Sequence, residues 1–318
     1  MSQDILEISS FAGCDQKAYG FGVVSQHWQL KDMLKINGMS LVFAKESNVM
    51  SYEVCTGITN TLANMDFSPT SICMKNDILA VGGAKGQLSI KNLATDELIS
   101  RAISTSINNN ICIHGDKVFV CNNDRILRIL TIDLKSEQRI VHVAQVNSCA
   151  VSPDNKFLAV VGDSNDVFMY SLESEGCRLI MKLKTVNDGG FSVAWNSSSS
   201  AFAVGTQDGY VCVWDIRGSG VLHRFESKQR DDHRGAVRNV KFSMKGSLDL
   251  LFFTEQFSYV TICDTRDMRR IQRIKIFPDK QVTGATFSEN SEKIFVSTDD
   301  QVKYLSINTK LRRMFADV

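Results

Sequence analysis

Few residues in this chain are grouped in a way that supports enzyme chemistry. A glycine-rich stretch at 82–86, GGAKG, could bind phosphate, but no predicted helix follows it to direct an N-terminal dipole at the anion. The stretch DSNDV at 163–167 lacks the glycine and distal glutamate of a calcium loop, and Cys112 and His114 have no second ligand pair nearby. We interpret both stretches as hairpin turns and expect no catalytic residues, no cofactor and no metal ion.

The sequence Trp214-Asp215-Ile216-Arg217 could instead bind another protein. It ends an alternating apolar strand, and an arginine at a strand end is expected to be exposed, where its guanidinium can make bidentate or stacking contacts. In the alternative interpretation, Trp214 packs in the core, Asp215 ends the strand and Arg217 pairs locally. The sequence leaves both interpretations open.

The stretch at 225–237, FESKQRDDHRGAV, is the longest and most charged of the connections that lead from an outer to an inner predicted strand. It carries three basic side chains, Lys228, Arg230 and Arg234, beside two aspartates. These could bind a charged peptide, whereas a solvated loop of mixed charge is the commoner outcome. We expect His233 to help fix the loop as a hydrogen-bond partner.

Composition excludes several classes of partner and compartment. The chain has 36 basic and 35 acidic residues, so a general nucleic-acid-binding field is not expected. Nine scattered cysteines fit reduced thiols in the cytoplasm or nucleus. The N-terminal residues do not resemble a signal peptide, and no apolar run approaches the roughly 18 residues of a membrane span. We expect a protein that binds other proteins, as a monomer or in a hetero-complex.

A repeated hairpin positions these candidate residues. The segment VGTQDGYVCVWDIR (204–217) predicts an apolar strand, a turn and a strand of alternating apolar and polar residues. Six other segments of the chain have the same pattern. The residues equivalent to Trp214 are separated by 39 to 49 positions: Tyr52, Lys91, Leu130, Tyr170, Cys263 and Leu305. Short strands such as SVAWNSSSS precede most hairpins and read as inner strands. No helical periodicity competes with this interpretation.

This repeat resembles that of the WD-repeat family over nearly the whole chain. The resemblance implies an all-β fold, a seven-bladed β-propeller, with residues 1–318 forming one domain. The stretch 225–237 would then lie on the top face beside the central channel. We expect the N-terminal residues 1–12, near LEISS, to supply an edge strand to the last blade or to form a flexible tail.

Individual repeats depart from the family pattern. Well-formed members bury a hydrogen-bonded set of His, Ser or Thr, Asp and Trp. Thr206, Asp208 and Trp214 match three of these positions in the fifth repeat, but the His position falls near Val186. His233 occupies that place in the next repeat, which lacks the Asp and Trp. We therefore expect stability to come mainly from apolar packing, because an incomplete polar network adds little.

A narrower resemblance is found at 248–266, LDLLFFTEQFSYVTICDTR, which is similar to a segment around a DLL motif in a poorly characterised, largely fungal group of WD-repeat proteins. The leading functional expectation is a scaffold or adaptor that binds proteins through its rim and loops. The alternative is a substrate receptor of a ubiquitin ligase. A longer relative in that group implies a GID-type ligase, and the Arg two residues after Asp215 resembles the adaptor contact of some cullin-type receptors.

Overall fold

The computed structural model describes residues 6–7, 11–13, 17–27, 29–173, 176–230, 233–244, 249–256, 258–278 and 280–308. Within these ranges the regular secondary structure is entirely β-strand, and the strands form seven sheets of four or five strands each and one two-stranded hairpin. This confirms the predicted seven-bladed β-propeller. In the described part of the chain, no helix is long and apolar enough to cross a membrane.

Two short strands, β1 (Leu6–Glu7) and β2 (Lys17–Tyr19), precede the first blade. Each of the next three blades contains four strands in order from the channel outward. These are β3 (Leu34–Asn37), β4 (Ser40–Lys45), β5 (Asn48–Glu53) and β6 (Thr59–Asn64) in blade one; β7 (Pro69–Lys75), β8 (Ile78–Gly83), β9 (Gln87–Asn92) and β10 (Glu97–Ala102) in blade two; and β11 (Asn108–His114), β12 (Lys117–Asn122), β13 (Ile126–Thr131) and β14 (Glu137–Val141) in blade three.

The remaining blades follow the same plan, and a short hairpin is inserted between blades five and six. The strands are β15 (Val146–Val151), β16 (Phe157–Gly162), β17 (Asp166–Glu173) and β18 (Gly176–Lys184) in blade four; β19 (Gly190–Trp195), β20 (Ala201–Thr206), β21 (Tyr210–Asp215) and β22 (Val221–Glu226) in blade five; β23 (Gln229–Arg230) and β24 (His233–Arg234) in the hairpin; β25 (Val237–Phe242), β26 (Leu250–Glu255), β27 (Tyr259–Asp264) and β28 (Arg270–Lys275) in blade six; and β29 (Gly284–Phe287), β30 (Lys293–Ser297) and β31 (Val302–Ser306) in blade seven.

Apolar side chains from neighbouring blades interlock to form the core. One cluster joins blades four and five through residues such as Val161, Met169 and Phe202, and further clusters join other adjacent pairs. The DLL segment contributes β26, whose residues are all buried. Leu250 packs with blade seven and Leu251 with blade five, so the two leucines of this motif are core residues.

The ring closes through the N-terminal segment. Strand β2 pairs antiparallel with β31, and Ala12 forms a bridge to Ile307 farther along the same edge. Blade seven thereby obtains its fourth strand, at 17–19 rather than at LEISS. Within LEISS, β1 pairs in parallel with β28 and adds a fifth strand to blade six, where the outer edge offers unpaired backbone groups.

The connections from an outer strand to the next inner strand share one face with the turns between the second and third strands of each blade. We call this the top face. In blade five, the turn contains Gly209, whose φ of +84° favours glycine. A Cβ at Gly209 would lie 2.6 Å from Cβ of Arg234, so the stretch at 225–237 folds down onto this turn.

Candidate binding surfaces

Arg217 lies on the bottom face, opposite the top face, in the turn after β21. Its side chain is 84% exposed, and its guanidinium pairs with the carboxylate of Asp215 through contacts of 2.8 Å and 2.6 Å. These hydrogen bonds lower the pKa of Asp215 to about 2. Arg217 is therefore accessible to a partner but already paired within its own turn.

Trp214 is fully buried and stacks on Phe202, with ring centres 5.2 Å apart. The hydroxyl of Thr206 donates to Asp208 at 2.5 Å and accepts from the backbone of Tyr210, so these residues fix the turn rather than reaching the indole. Among the described residues, Nε1 of Trp214 has no hydrogen-bond partner. The residues expected to form one hydrogen-bonded set in blade five therefore act separately. Thr206 and Asp208 stabilise the turn, and Trp214 packs in the core.

The connection at 227–236 forms the short hairpin of β23 and β24. Arg234 pairs with Glu226, and its guanidinium lies 5.2 Å from the ring centre of Tyr210. The backbone amide of Lys228 donates to Glu255 at 2.7 Å, while the Lys228 ammonium lies 4.9 Å from the ring centre of Tyr259. The side chains of Arg230 and His233 lie outside the described residues.

A groove of about 350 Å³ separates this hairpin from the outer strand of blade six. Its lining includes Lys228, Arg234 and Arg273. Arg273 donates to the carbonyl of Glu226 at 2.8 Å and lies 3.5 Å from the carboxylate of Glu255. Glu255 is fully buried, and burial raises its pKa. Arg273 was not a sequence candidate, because only the pairing of β27 with β28 shows that it joins this groove.

Residues 21–27 and 29–33 belong to the connection from β2 to β3. They lie over the top of the channel, and we call them the plug. Leu30 packs with Phe191 and Ala236, which belong to blade five and to the connection before blade six. The carbonyl of Lys31 accepts a 2.6 Å hydrogen bond from Asn239 of blade six. The plug is therefore held by contacts far from it in sequence.

His27 fixes the plug through both ring nitrogens. Nδ1 accepts hydrogen bonds from the backbone amides of Gln29 and Leu30 at 3.1 Å and 2.8 Å. The proton of the neutral ring is thus on Nε2, which donates to Oδ1 of Asn109 at 3.2 Å. Burial lowers the pKa of His27 to about 4. Protonation of Nδ1 would break the two backbone contacts.

A β-bulge occurs at the second residue of the inner strand in blades two to six. The five bulged residues lie around the channel beneath the plug, and they are Thr70, Asn109, Asn147, Phe191 and Arg238. The first three hydrogen bond to the backbone of the next blade, at distances of 2.9, 2.8 and 3.1 Å. Because a bulge redirects a side chain, this repeated irregularity links the blades and lines the channel mouth.

Farther down the channel, Asp32 accepts hydrogen bonds from Lys35 at 2.5 Å and from Lys241 at 3.0 Å. The two ammonium groups hold the pKa of Asp32 below its usual value, against the opposing effect of burial. No group of three or more His, Cys, Asp or Glu side chains in the described ranges could hold a metal ion. This part of the channel therefore carries two lysines paired with one carboxylate.

Two family matches agree with this architecture. Residues 135–171 and 184–215 match the WD domain, G-beta repeat, and these ranges lie mainly in blades four and five. Residues 235–274 match an uncharacterised protein domain, DUF2415, and this range contains the DLL segment.

Comparisons over longer ranges point in the same direction. An uncharacterised protein of Schizosaccharomyces pombe is 24% identical over 92% of this chain and 91% of its own length. An uncharacterised protein of Saccharomyces cerevisiae is 25% identical over 62% of this chain, which corresponds to 32% of that longer protein. A chain in the crystal structure of the mitotic checkpoint complex shares the fold, with a TM-score of 0.78, 15% identity and 96% coverage of both chains. This chain is a seven-bladed β-propeller with WD repeats at 135–171 and 184–215, and it is similar to uncharacterised fungal proteins.

Proposed function

We propose that this chain is a non-enzymatic protein-interaction scaffold whose top-face groove binds an acidic segment of a partner protein. The observation that carries the proposal is Lys228. Its ammonium lies over Tyr259 and has no carboxylate partner among the described residues, although two other cations, Arg234 and Arg273, line the same groove. An acidic side chain would supply the missing partner.

The composition of the groove favours a protein ligand. Tyr259 and Tyr210 lie beneath the cations, and aromatic and arginine side chains are enriched at the centres of protein interfaces. Glu226 already pairs with Arg234, and Glu255 is buried, so neither carboxylate neutralises Lys228 at the surface. Charge complementarity of this kind mainly increases association rate and specificity.

The proposal can be tested by affinity purification of the tagged full chain followed by mass spectrometry. We expect Lys228→Glu to lose partners that the parent protein retains. Lys135→Glu is the matched control, because Lys135 is 84% exposed in the turn between the outer two strands of blade three, on the opposite face. Retention of the parental partner set by Lys228→Glu would exclude this groove as the binding site.

A ubiquitin-ligase receptor is the alternative function, and Arg217 provides a separate test. Arg217→Ala should change the free energy of unfolding by no more than about 0.5 kcal/mol, because the side chain is exposed. If the alternative holds, ligase subunits co-purify with the parent protein and are lost with Arg217→Ala.

We also propose that the protein acts in the cytoplasm or nucleus. The eight cysteines that the structure describes are all free thiols, as expected in a reducing compartment. Fractionation of cells that express the tagged protein tests this placement.

A further inference from the structure

Arg238 is a buried arginine without an acidic partner among the described residues. The residue is 8% exposed, and its guanidinium carbon lies 5.7 Å from the ring centre of Phe191. Nη1 is completely buried, and no described residue accepts a hydrogen bond from it. Burial lowers the pKa of Arg238 to about 10, so the side chain remains charged at neutral pH. Buried charges are ordinarily paired, since an unpaired charge carries a large desolvation cost.

Arg238 lines a small cavity beneath the plug. The cavity has a volume of about 20 Å³, which is enough for one atom of the size of water or slightly larger. Ser71 also lines this cavity, but its hydroxyl is buried against Gly82 on the side of blade three and does not face the enclosed space. Arg238 therefore brings an unpaired charge to this small space.

The surroundings of the cavity are positively charged. Lys31 also borders it, and among the described residues that line it the only carboxylate is that of Asp32, which Lys35 and Lys241 already neutralise. Those two lysines line a second cavity of about 320 Å³ that shares Asp32, Asn110, Ser148 and Ser192 with the first. Four cations and one carboxylate thus line this part of the channel.

We propose that the cavity beneath the plug binds one small anion beside the guanidinium of Arg238. A water molecule could accept a hydrogen bond from Arg238, but it would leave the charge of the guanidinium uncompensated, whereas an anion supplies both the acceptor and the opposite charge. The anion has two possible sources: a free ion such as chloride, which fits the cavity as it stands, and a carboxylate of a ligand, for which the plug must shift. This inference does not depend on the top-face groove.

Thermal unfolding of the full chain in sodium chloride, sodium formate and sodium gluconate, at equal ionic strength, separates these possibilities. Gluconate is too bulky for the cavity. We expect chloride to raise the melting temperature by about 2 to 5 °C relative to gluconate, since a ligand that binds only the folded state stabilises it. An increase with formate but not chloride would assign the site to carboxylates. Equal melting temperatures in all three salts would overturn the proposal.

Variants distinguish the site from general salt effects. Arg238→Gln should abolish the difference in melting temperature between chloride and gluconate. Arg269→Gln is the control in the same blade, because its exposed arginine pairs with Asp267 in a turn. A retained response in Arg238→Gln would contradict the proposal.

A direct measurement covers the case in which Arg238→Gln does not fold. Crystals of the parent protein soaked in bromide should give an anomalous difference peak next to Arg238. Absence of that peak at a bromide concentration that reproduces the thermal shift would also overturn the assignment.

Discussion

Two buried tryptophans of one inter-blade cluster offer a matched test of how much an unpaired indole costs. Trp195 and Trp214 both contact Phe202, with ring centres 5.1 Å and 5.2 Å away. Nε1 of Trp195 donates to the carbonyl of Ala150 at 2.9 Å, a hydrogen bond between blades five and four. Nε1 of Trp214 has no partner among the described residues. Replacement by phenylalanine removes a similar volume at each position. At Trp195 it also removes a hydrogen bond, whereas at Trp214 it removes a donor that has no partner among the described residues.

The two substitutions should therefore differ in cost. Trp195→Phe loses an intact hydrogen bond, worth about 0.5 to 1.5 kcal/mol. In the parent protein, the unpaired donor of Trp214 costs about 1 to 3 kcal/mol of stability. Trp214→Phe removes this cost, which offsets part of the stability lost through poorer packing. We expect Trp195→Phe to be the more destabilising by about 2 to 4 kcal/mol. Trp214→Ala should still cost about 3 to 5 kcal/mol, because it leaves a large cavity.

Urea unfolding followed by far-ultraviolet circular dichroism measures these differences without relying on tryptophan fluorescence. The free energy of unfolding must depend on urea concentration with the same slope in each protein before the midpoints are converted to free-energy differences. Equal destabilisation by the two phenylalanine substitutions, or a greater loss for Trp214→Phe, would refute the reasoning. It would mean that the Trp214 indole is hydrogen bonded in solution or that packing alone determines the cost.

The sequence predicts the blades well because each hairpin carries its own local signal. Apolar alternation and a polar turn mark β20 and β21 around Asp208, and the same pattern repeats around the ring. The position of Arg217 at a strand end likewise follows from the pattern. The two hydrogen bonds from the Arg217 guanidinium to Asp215 depend on the rotamers of both side chains, which the sequence does not specify.

The channel mouth could not be predicted because its geometry depends on long-range contacts. A bulge shifts the register by one residue, and no local pattern indicated that Arg238 or Asn109 would be redirected beneath the plug. The contact of His27 with Asn109 joins residues 82 positions apart. The closing strand was predicted near LEISS, whereas residues 17–19 pair with β31 and LEISS pairs with β28, because no local pattern specifies which open sheet edge a short strand joins.

Two further predictions concern the segments that close the ring and the channel. For His27, the folded pKa of about 4 lies below the ordinary value of 6.5, so only the unfolded chain takes up a proton as the pH falls through 6.5. The parent should lose about 2 to 3 kcal/mol of stability between about pH 6.5 and 4 that His27→Gln does not lose, and parallel denaturation profiles of the two proteins would contradict this. For ring closure, deletion of residues 1–10 should lower the melting temperature much less than deletion of 1–19. The shorter deletion removes β1, a two-residue strand added to a complete blade, whereas the longer one also removes β2 and the aromatic contact of Tyr19 with Tyr52, 5.2 Å between ring centres, which joins blade seven to blade one. Each blade needs a complete neighbour to bury its faces, so a protein lacking 1–19 should unfold at a markedly lower temperature; if calorimetry finds the two deletions equally stable, β2 is not the strand that closes the ring.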